Sequence, residues 1–253
     1  MSPLEKLISL YGKNSKHSNY QILPAKLAKV LGEDAVDVLS RYERERFEFI
    51  LENLPLAGKT VLDIGGNTGF FTFEALDAGA HSVHHFEGQA DHSEFVSTAA
   101  LVLDCADRIR VTSAYYDFRD GGSEAYDVVF LLNGLHHLGD DFGGKKATVE
   151  DAKLEMARCL NQMAAVTESL VFQLGFCWKG DRNCLMFPGG TKDEMVDFVT
   201  KSTQDVWVIE KVAVPVKSND GAIVYAPMDS SNSVRDDAMG EFLNRPLFIL
   251  RKK

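Results

Sequence analysis

Apolar residues recur at helical spacing in the first part of the chain, at Leu4, Leu7 and Ile8 and again along Leu39, Tyr42, Phe47, Ile50, Leu51 and Leu54. The second stripe predicts an amphipathic helix over residues 41–55, stopped at Pro55, whose ring removes a backbone donor. Between these stripes, KNSKHSNYQILP at 13–24 mixes polar and aromatic residues and predicts a loop or lid. From residue 59 the pattern changes to short apolar strands separated by helical spans. Strands are predicted over 59–66, 82–88 and 108–114, with helices over 69–79 and 91–104. A fourth strand starts at 126 and ends near Asn133, followed by a helix over 148–164 and a fifth strand over 169–176. A helix over 191–202, a strand over 206–214, a polar stretch from 217 to about 244 and a last strand over 246–252 complete the pattern.

Such alternation requires a mostly parallel sheet with helices on both faces, and the two closing strands predict a terminal antiparallel pair. A ligand then belongs beyond the carboxyl ends of the parallel strands. The division expected is an N-terminal helical extension or lid, 1–55, and a main domain, 56–253.

Composition narrows the classes of partner. With 253 residues, 45% of them hydrophobic, the chain can bury a substantial core. Lys and Arg number 27 against 37 Asp and Glu, a net charge of -10, which argues against broad capture of a phosphate backbone, so no nucleic-acid partner is expected. Cys105, Cys159, Cys177 and Cys184 form no CxxC pair and read as reduced thiols in a cytoplasmic protein. The N-terminus is charged before any apolar run develops, and no later stretch approaches the roughly 18 apolar residues of a spanning helix. Neither secretion nor membrane insertion is expected, and the oligomeric state is left open.

The strongest chemical signal is LDIGGNTG at 62–69, lying between a buried strand and a helix. Gly65, Gly66 and Gly69 let the backbone turn closely under a ligand, and Asn67 tolerates a conformation most side chains resist. Glu87 falls at the tip of the next strand, where a carboxylate accepts hydrogen bonds from both hydroxyls of a ribose. The dinucleotide fingerprint fails at Asn67, and no Lys-Ser/Thr follows the turn to make a phosphate loop. A cofactor with a ribose but no pyrophosphate remains.

Here the sequence resembles the class I S-adenosylmethionine-dependent methyltransferases, whose first motif, D/E-x-G-x-G-x-G, is matched by Asp63, Gly65 and Gly69, with Asn67 departing at the middle glycine. The resemblance covers roughly residues 57–176, with looser agreement through 252. It implies a Rossmann-like sandwich with a mostly parallel seven-stranded sheet and a terminal antiparallel strand. It also implies S-adenosyl-L-methionine as cofactor, with the turn against its methionine portion and Glu87 on its ribose. Asp117, in SAYYDFRD, is a candidate for the adenine amino group, with Tyr115 or Tyr116 packing on the ring as the alternative. Asn133 or its backbone is assigned to the methionine end.

Methyl transfer is a direct displacement, so alignment supplies much of the rate. His136 and His137 follow the fourth strand, and a histidine near neutrality can take a hydroxyl proton. Adjacent histidines cannot both point the same way in a regular element, so one is expected to meet substrate and the other to pack. His84 and His85 alternate across their strand and are expected to pack rather than share a metal. Asp140 and Asp141 open a metal alternative, but sulfonium chemistry needs no metal and none is assigned. Trp178, Lys179, Arg182 and Asn183 in the loop after the fifth strand, with Tyr20 as a second wall, are candidate substrate contacts for a sugar or an anionic acceptor. LLNGLHHLG and AAVTESLVFQLG also resemble methyltransferases of bacterial surface polysaccharide synthesis, implying a sugar, glycan or phosphate acceptor. The expected activity is methyl transfer to an oxygen of a small molecule or glycan. Nitrogen or carbon methylation, a macromolecular acceptor, and a catalytically silent interaction protein are the alternatives.

Overall fold

The computed structural model describes residues 2–11, 21–32, 40–119, 124–145 and 148–253. The chain divides into two compact units, Met1–Tyr116 and Asp117–Lys253.

In the first unit, helices α1 (Pro3–Tyr11), α2 (Ala25–Leu31) and α3 (Glu43–Asn53) precede the sheet. Helix α3 carries the predicted stripe: Phe47, Phe49 and Ile50 are buried, and Phe47 meets Phe70 and Phe71 edge-on, at 6.4 and 6.1 Å between ring centroids. It ends before Pro55 because the residue preceding a proline is pushed out of the helical region, and Leu54 adopts φ -145°. Strand β1 (Thr60–Ile64), helix α4 (Phe70–Asp77), strand β2 (Ser82–Phe86), helix α5 (Ala90–Val102) and strand β3 (Ile109–Thr112) form the expected βαβαβ run. The three strands pair in parallel in the order β3-β2-β1. Helix α1 rests on α5 through Tyr11 and Phe95, 5.6 Å apart, and a 2.6 Å ion pair from Lys6 to Glu94.

The second unit contains β4 (Tyr126–Leu132), α6 (Val149–Gln162), β5 (Thr167–Gln173), α7 (Lys192–Thr203), β6 (Trp207–Lys217), β7 (Ile223–Pro227) and β8 (Leu247–Lys252). Its strands lie in the order β4-β5-β8-β6-β7. Strands β4 and β5 are parallel; β8 runs antiparallel to both β5 and β6, so the closing strands are the antiparallel pair that was expected. Phe172 lies opposite Phe248, and the buried indole of Trp207 donates to the Leu160 carbonyl at 3.1 Å, tying β6 to the end of α6.

The expected strand count needs correction: eight strands, not seven, occur among the described residues. The additional one is β7, inside the stretch read as polar. Strand β6 continues to Lys217, and the chain reverses through Ser218–Ala222, where Asp220 accepts from the Ala222 N–H at 3.2 Å and Gly221 takes φ +86°. Residues 223–227 then alternate sides as a hairpin arm must.

All four cysteines are free thiols. No described helix is long and apolar enough to cross a membrane. Helix α7 opens with a capping box: the Thr191 hydroxyl accepts the Glu194 N–H at 3.2 Å, while Glu194 accepts the Thr191 N–H at 3.0 Å. Replacing Thr191 by alanine is expected to cost about 1 kcal/mol in urea unfolding, and replacement by serine to leave stability nearly unchanged.

Candidate functional site

The first unit brings most of the expected cofactor residues together. Beyond β1 the backbone turns sharply, and the N–H groups of Gly65 and Gly66 both donate to the Phe86 carbonyl, at 2.8 and 3.2 Å. Asn67 holds φ +54° and Gly69 φ +85°, the left-handed conformations foreseen for these positions. The Asn67 N–H donates to Glu87 Oε2 at 2.9 Å and the Gln89 N–H to Oε1 at 2.7 Å, so the turn and the start of α5 orient the carboxylate at the tip of β2. Tyr115 stands against Gly88, where an added Cβ would fall 2.4 Å from its ring, and Tyr116 meets Phe86 edge-on at 5.1 Å. A partly exposed aromatic surface therefore adjoins the residue next to Glu87.

Asp63, the acid of the motif, lies near the end of β1. Its side chain lies beneath the turn, buried, and accepts the Thr72 hydroxyl at 2.7 Å. Thr72 Oγ1 is also 2.8 Å from His85 Nδ1, and His85 is fully buried. A Cβ on Gly66 would sit 2.5 Å from the His85 ring and 2.6 Å from Asp63 Oδ2, so only glycine lets the turn close over these two groups. His84, one residue back, reaches Thr112 Oγ1 through Nε2 at 2.8 Å, so the two histidines part to different neighbours as strand alternation requires. Gln21 was not foreseen: its side-chain oxygen accepts the Phe70 N–H at 2.9 Å, at the start of α4. Tyr20 and the rest of 13–20 lie outside the described residues.

In the second unit, Asn133 follows β4 in a left-handed conformation, φ +59°. Its side chain is held on both sides: Nδ2 donates to Gln173 Oε1 at 2.8 Å, and Arg245 Nη1 donates to Oδ1 at 2.9 Å. Gln173 in turn donates to the Arg245 carbonyl, and Glu241 takes the Arg245 guanidinium through both oxygens. Burial pushes the Glu241 carboxyl upward, but Arg245 and the Phe176 N–H outweigh it and hold the group below its ordinary value. Sequence reading missed Gln173, Glu241 and Arg245; the one local signal was a lone glutamine ending an apolar strand.

The two candidate bases do part. His136 is buried, its Nδ1 accepting the Gly175 N–H at 3.3 Å, with Gly175 so close that a Cβ would fall 2.8 Å from the ring. His137 is partly exposed, with Nδ1 3.5 Å from Asp141 Oδ2. Ligand atoms of His137, Asp140 and Asp141 lie within 4.8 Å of one another, a set whose chemistry suits a divalent cation. Trp178, expected to face substrate, is buried instead and donates its indole N–H to the Leu138 carbonyl at 2.7 Å, because a large apolar ring gains more from the core than from the surface. Lys179 lies over its ring, 4.0 Å from the centroid. Arg182, Asn183 and Asp117 are exposed; Asp117 accepts the Arg119 N–H and Asp181 accepts the Asn183 N–H, both at 2.9 Å.

No family model matches the sequence. No curated protein matches it either. Solved structures do match. The bifunctional kinase-methyltransferase WbdD aligns over 98% of this chain and 46% of its own, at 16% identity and TM-score 0.56. Magnesium protoporphyrin IX methyltransferase from Synechocystis PCC 6803, solved with bound S-adenosylmethionine, aligns over 98% of this chain and 90% of its own, at 12% identity and TM-score 0.52. The candidate RNA methyltransferase PH1948 from Pyrococcus horikoshii aligns over 99% and 98%, at 14% identity and TM-score 0.51. The fold is shared with these methyltransferases.

The buried acid and imidazole make opposite contributions to stability as pH changes. Burial, with the Glu87 charge adding to it and the Thr72 hydrogen bond opposing it, raises Asp63 to about 7. Burial, with His84 and His92 adding to it and the Asn67 backbone opposing it, lowers His85 to about 3. Unfolded, the two titrate near about 3.9 and about 6.5. Asp63 thus binds more protons folded than unfolded, and its stability contribution is lost as pH rises from about 4 to 7. His85 binds fewer, and its contribution is lost as pH falls from about 6.5 to 3. In Asp63→Asn the first slope disappears, so urea unfolding from pH 4.5 to 6.5 is expected to show stability rising with pH more steeply than in the wild type. His85→Asn should tilt the difference the other way.

Proposed function

We propose that the protein is an S-adenosylmethionine-dependent methyltransferase acting on an oxygen of a small molecule, sugar, glycan or phosphate acceptor. The observation that carries this reading is the orientation of Glu87 by the Asn67 and Gln89 N–H groups above a glycine turn. Those two bonds aim the carboxylate, and a vicinal diol is the ligand whose paired hydroxyls a carboxylate accepts best. A free phosphate would be repelled by the same charge. Tyr115, against Gly88, offers the purine an aromatic surface beside that carboxylate.

When bound, the cofactor supplies an electrophilic methyl group on a sulfonium. The chain's part is to bind, orient and take up a proton. Asp63 acts as a support of the turn through Thr72, and the Asn133 side chain is committed to Gln173 and Arg245, leaving its backbone as the group for the methionine end. His137 is the base for an acceptor hydroxyl, with Asp141 steering the ring and stabilising it once it carries the proton. His136 anchors this loop to Gly175. Lys179 and Arg182 are the cations for an anionic acceptor. The fold of WbdD and of the protoporphyrin enzyme is compatible with this chemistry, and neither fixes the acceptor.

Glu87→Ala is expected to weaken S-adenosylmethionine binding about tenfold or more in calorimetry, the loss of a charged hydrogen-bond acceptor; an unchanged affinity in the folded variant rejects the ribose role. Against a panel of sugars, sugar phosphates and phenols, His137→Ala is expected to lower formation of S-adenosylhomocysteine about a hundredfold while cofactor affinity stays within twofold. Turnover equal to the wild type removes the base assignment.

A further inference from the structure

Beneath the glycine turn, Thr72 Oγ1 stands 2.7 Å from Asp63 Oδ2 and 2.8 Å from His85 Nδ1, and neither the acid nor the imidazole reaches solvent. A threonine hydroxyl carries a single proton, so it cannot donate along both contacts. When it donates to Asp63, it accepts from His85; when it donates to His85, it accepts from Asp63. The three groups therefore have two ordered arrangements. In the first, the Asp63 carboxyl is protonated and donates to Thr72, Thr72 donates to Nδ1, and the ring proton sits on Nε2. In the second, Asp63 is a carboxylate accepting from Thr72, Nδ1 carries the ring proton, and Nε2 is bare. Passing from the first to the second moves two protons one place along the chain and releases one from Nε2 to solvent.

The imidazole that ends this chain meets the turn at its Cε1–Nδ1 edge. His85 Nε2 is buried and makes no full hydrogen bond, and the backbone of Asn67 is the group beside the ring that favours its protonated form. Gly66 brings the turn down onto that ring with no room for a Cβ. Asn67 in turn gives its N–H to Glu87. The position of the ring proton decides whether a donor or a lone pair faces the packed surroundings at Nε2, and in a site closed to water that difference is costly.

We propose that Thr72 and His85 are positioning residues for the turn, and that the Asp63–Thr72–His85 chain fixes Asn67, and through it the grip of Glu87 on an adenosyl ligand, according to whether one dissociable proton is present. The inference deepens the reading of the turn as a cofactor site and rests on it. Other charged or titratable groups face the chain: Glu87 from the tip of β2 toward Asp63, and His84 on β2 and His92 on α5 toward His85. Arg110 on β3 contacts His84. The raised Asp63 value, about 7, places the changeover near neutrality, so affinity falls as pH rises through it.

The test combines calorimetry with S-adenosylhomocysteine and nitrogen NMR of the His85 ring in protein labelled at histidine, both from pH 6 to 8.5. The ligand's amino group titrates nearby, so each variant is compared with the wild type at the same pH. Wild-type affinity is expected to fall about threefold to tenfold relative to Asp63→Asn, the worth of one hydrogen bond. Asp63→Asn mimics the protonated acid and should hold the low-pH affinity throughout, with the His85 proton staying on Nε2. Thr72→Val breaks the chain and should show no changeover in either readout. In the wild type the ring proton should move from Nε2 to Nδ1 over the same interval as the loss of affinity. A protein that binds the ligand while its ring signal stays constant, or whose affinity runs parallel to that of Asp63→Asn, overturns the proposal. A protein that binds no adenosyl ligand yet shows the ring proton moving overturns the cofactor reading and upholds the proton chain.

Discussion

The first unit is organised around a steric limit at the end of β1. The backbone at Gly66 passes so close to His85 and Asp63 that a Cβ would overlap both. Closing the turn at that height lets Gly65 and Gly66 share the Phe86 carbonyl and lets Asn67 reach across to Glu87. The strand tip, the turn and the start of α5 are thereby one hydrogen-bonded body. The buried groups below are what the turn stands on, and their polar atoms are acceptable there because Thr72 lies between them.

The second unit solves a similar problem with charge. Asn133 leaves β4 in a conformation costly for a side chain, and the cost is met by bonds from Gln173 and Arg245. Arg245 is held in turn by Glu241, whose carboxylate also receives the Phe176 N–H. Four side chains from distant parts of the sequence thus fix the backbone that follows β4 and β5. The histidines just beyond are separated by the same logic: His136 is consumed by packing beneath Gly175, and His137 keeps an edge toward solvent with Asp141 beside it.

What was legible in the sequence is what local chemistry determines. The alternation of strands and helices follows from burial periodicity, and the Gly65–Gly69 turn and Glu87 follow from a short stretch of chain that folds on itself. The opposite facing of His84 and His85 is simple strand geometry. Strand β7 was missed because its polar turn dominated the composition of the stretch around it, although the turn SNDG followed by an alternating IVYAP is itself a hairpin signal. Gln173, Glu241 and Arg245 were missed for a different reason: Gln173 and Arg245 are 72 positions apart in the sequence, and only the antiparallel placement of β8 beside β5 makes them neighbours. Trp178 shows the reverse error. A tryptophan among charged loop residues resembles a binding wall, yet its ring is worth more to the interior than to a ligand.

The hairpin arm β7 also decides how this sheet meets its surroundings. Strand β6 spans 11 residues, and β8 covers one side of it only. Without β7 the other side of Ala213–Lys217 would present open backbone donors and acceptors, an invitation to strand-to-strand aggregation. With it, the strand outside that stretch is five residues long and finishes at Pro227, which has no N–H to offer a passing chain. The short arm therefore shields the last five residues of β6, and deleting the stretch between 218 and 227 would lay that backbone bare.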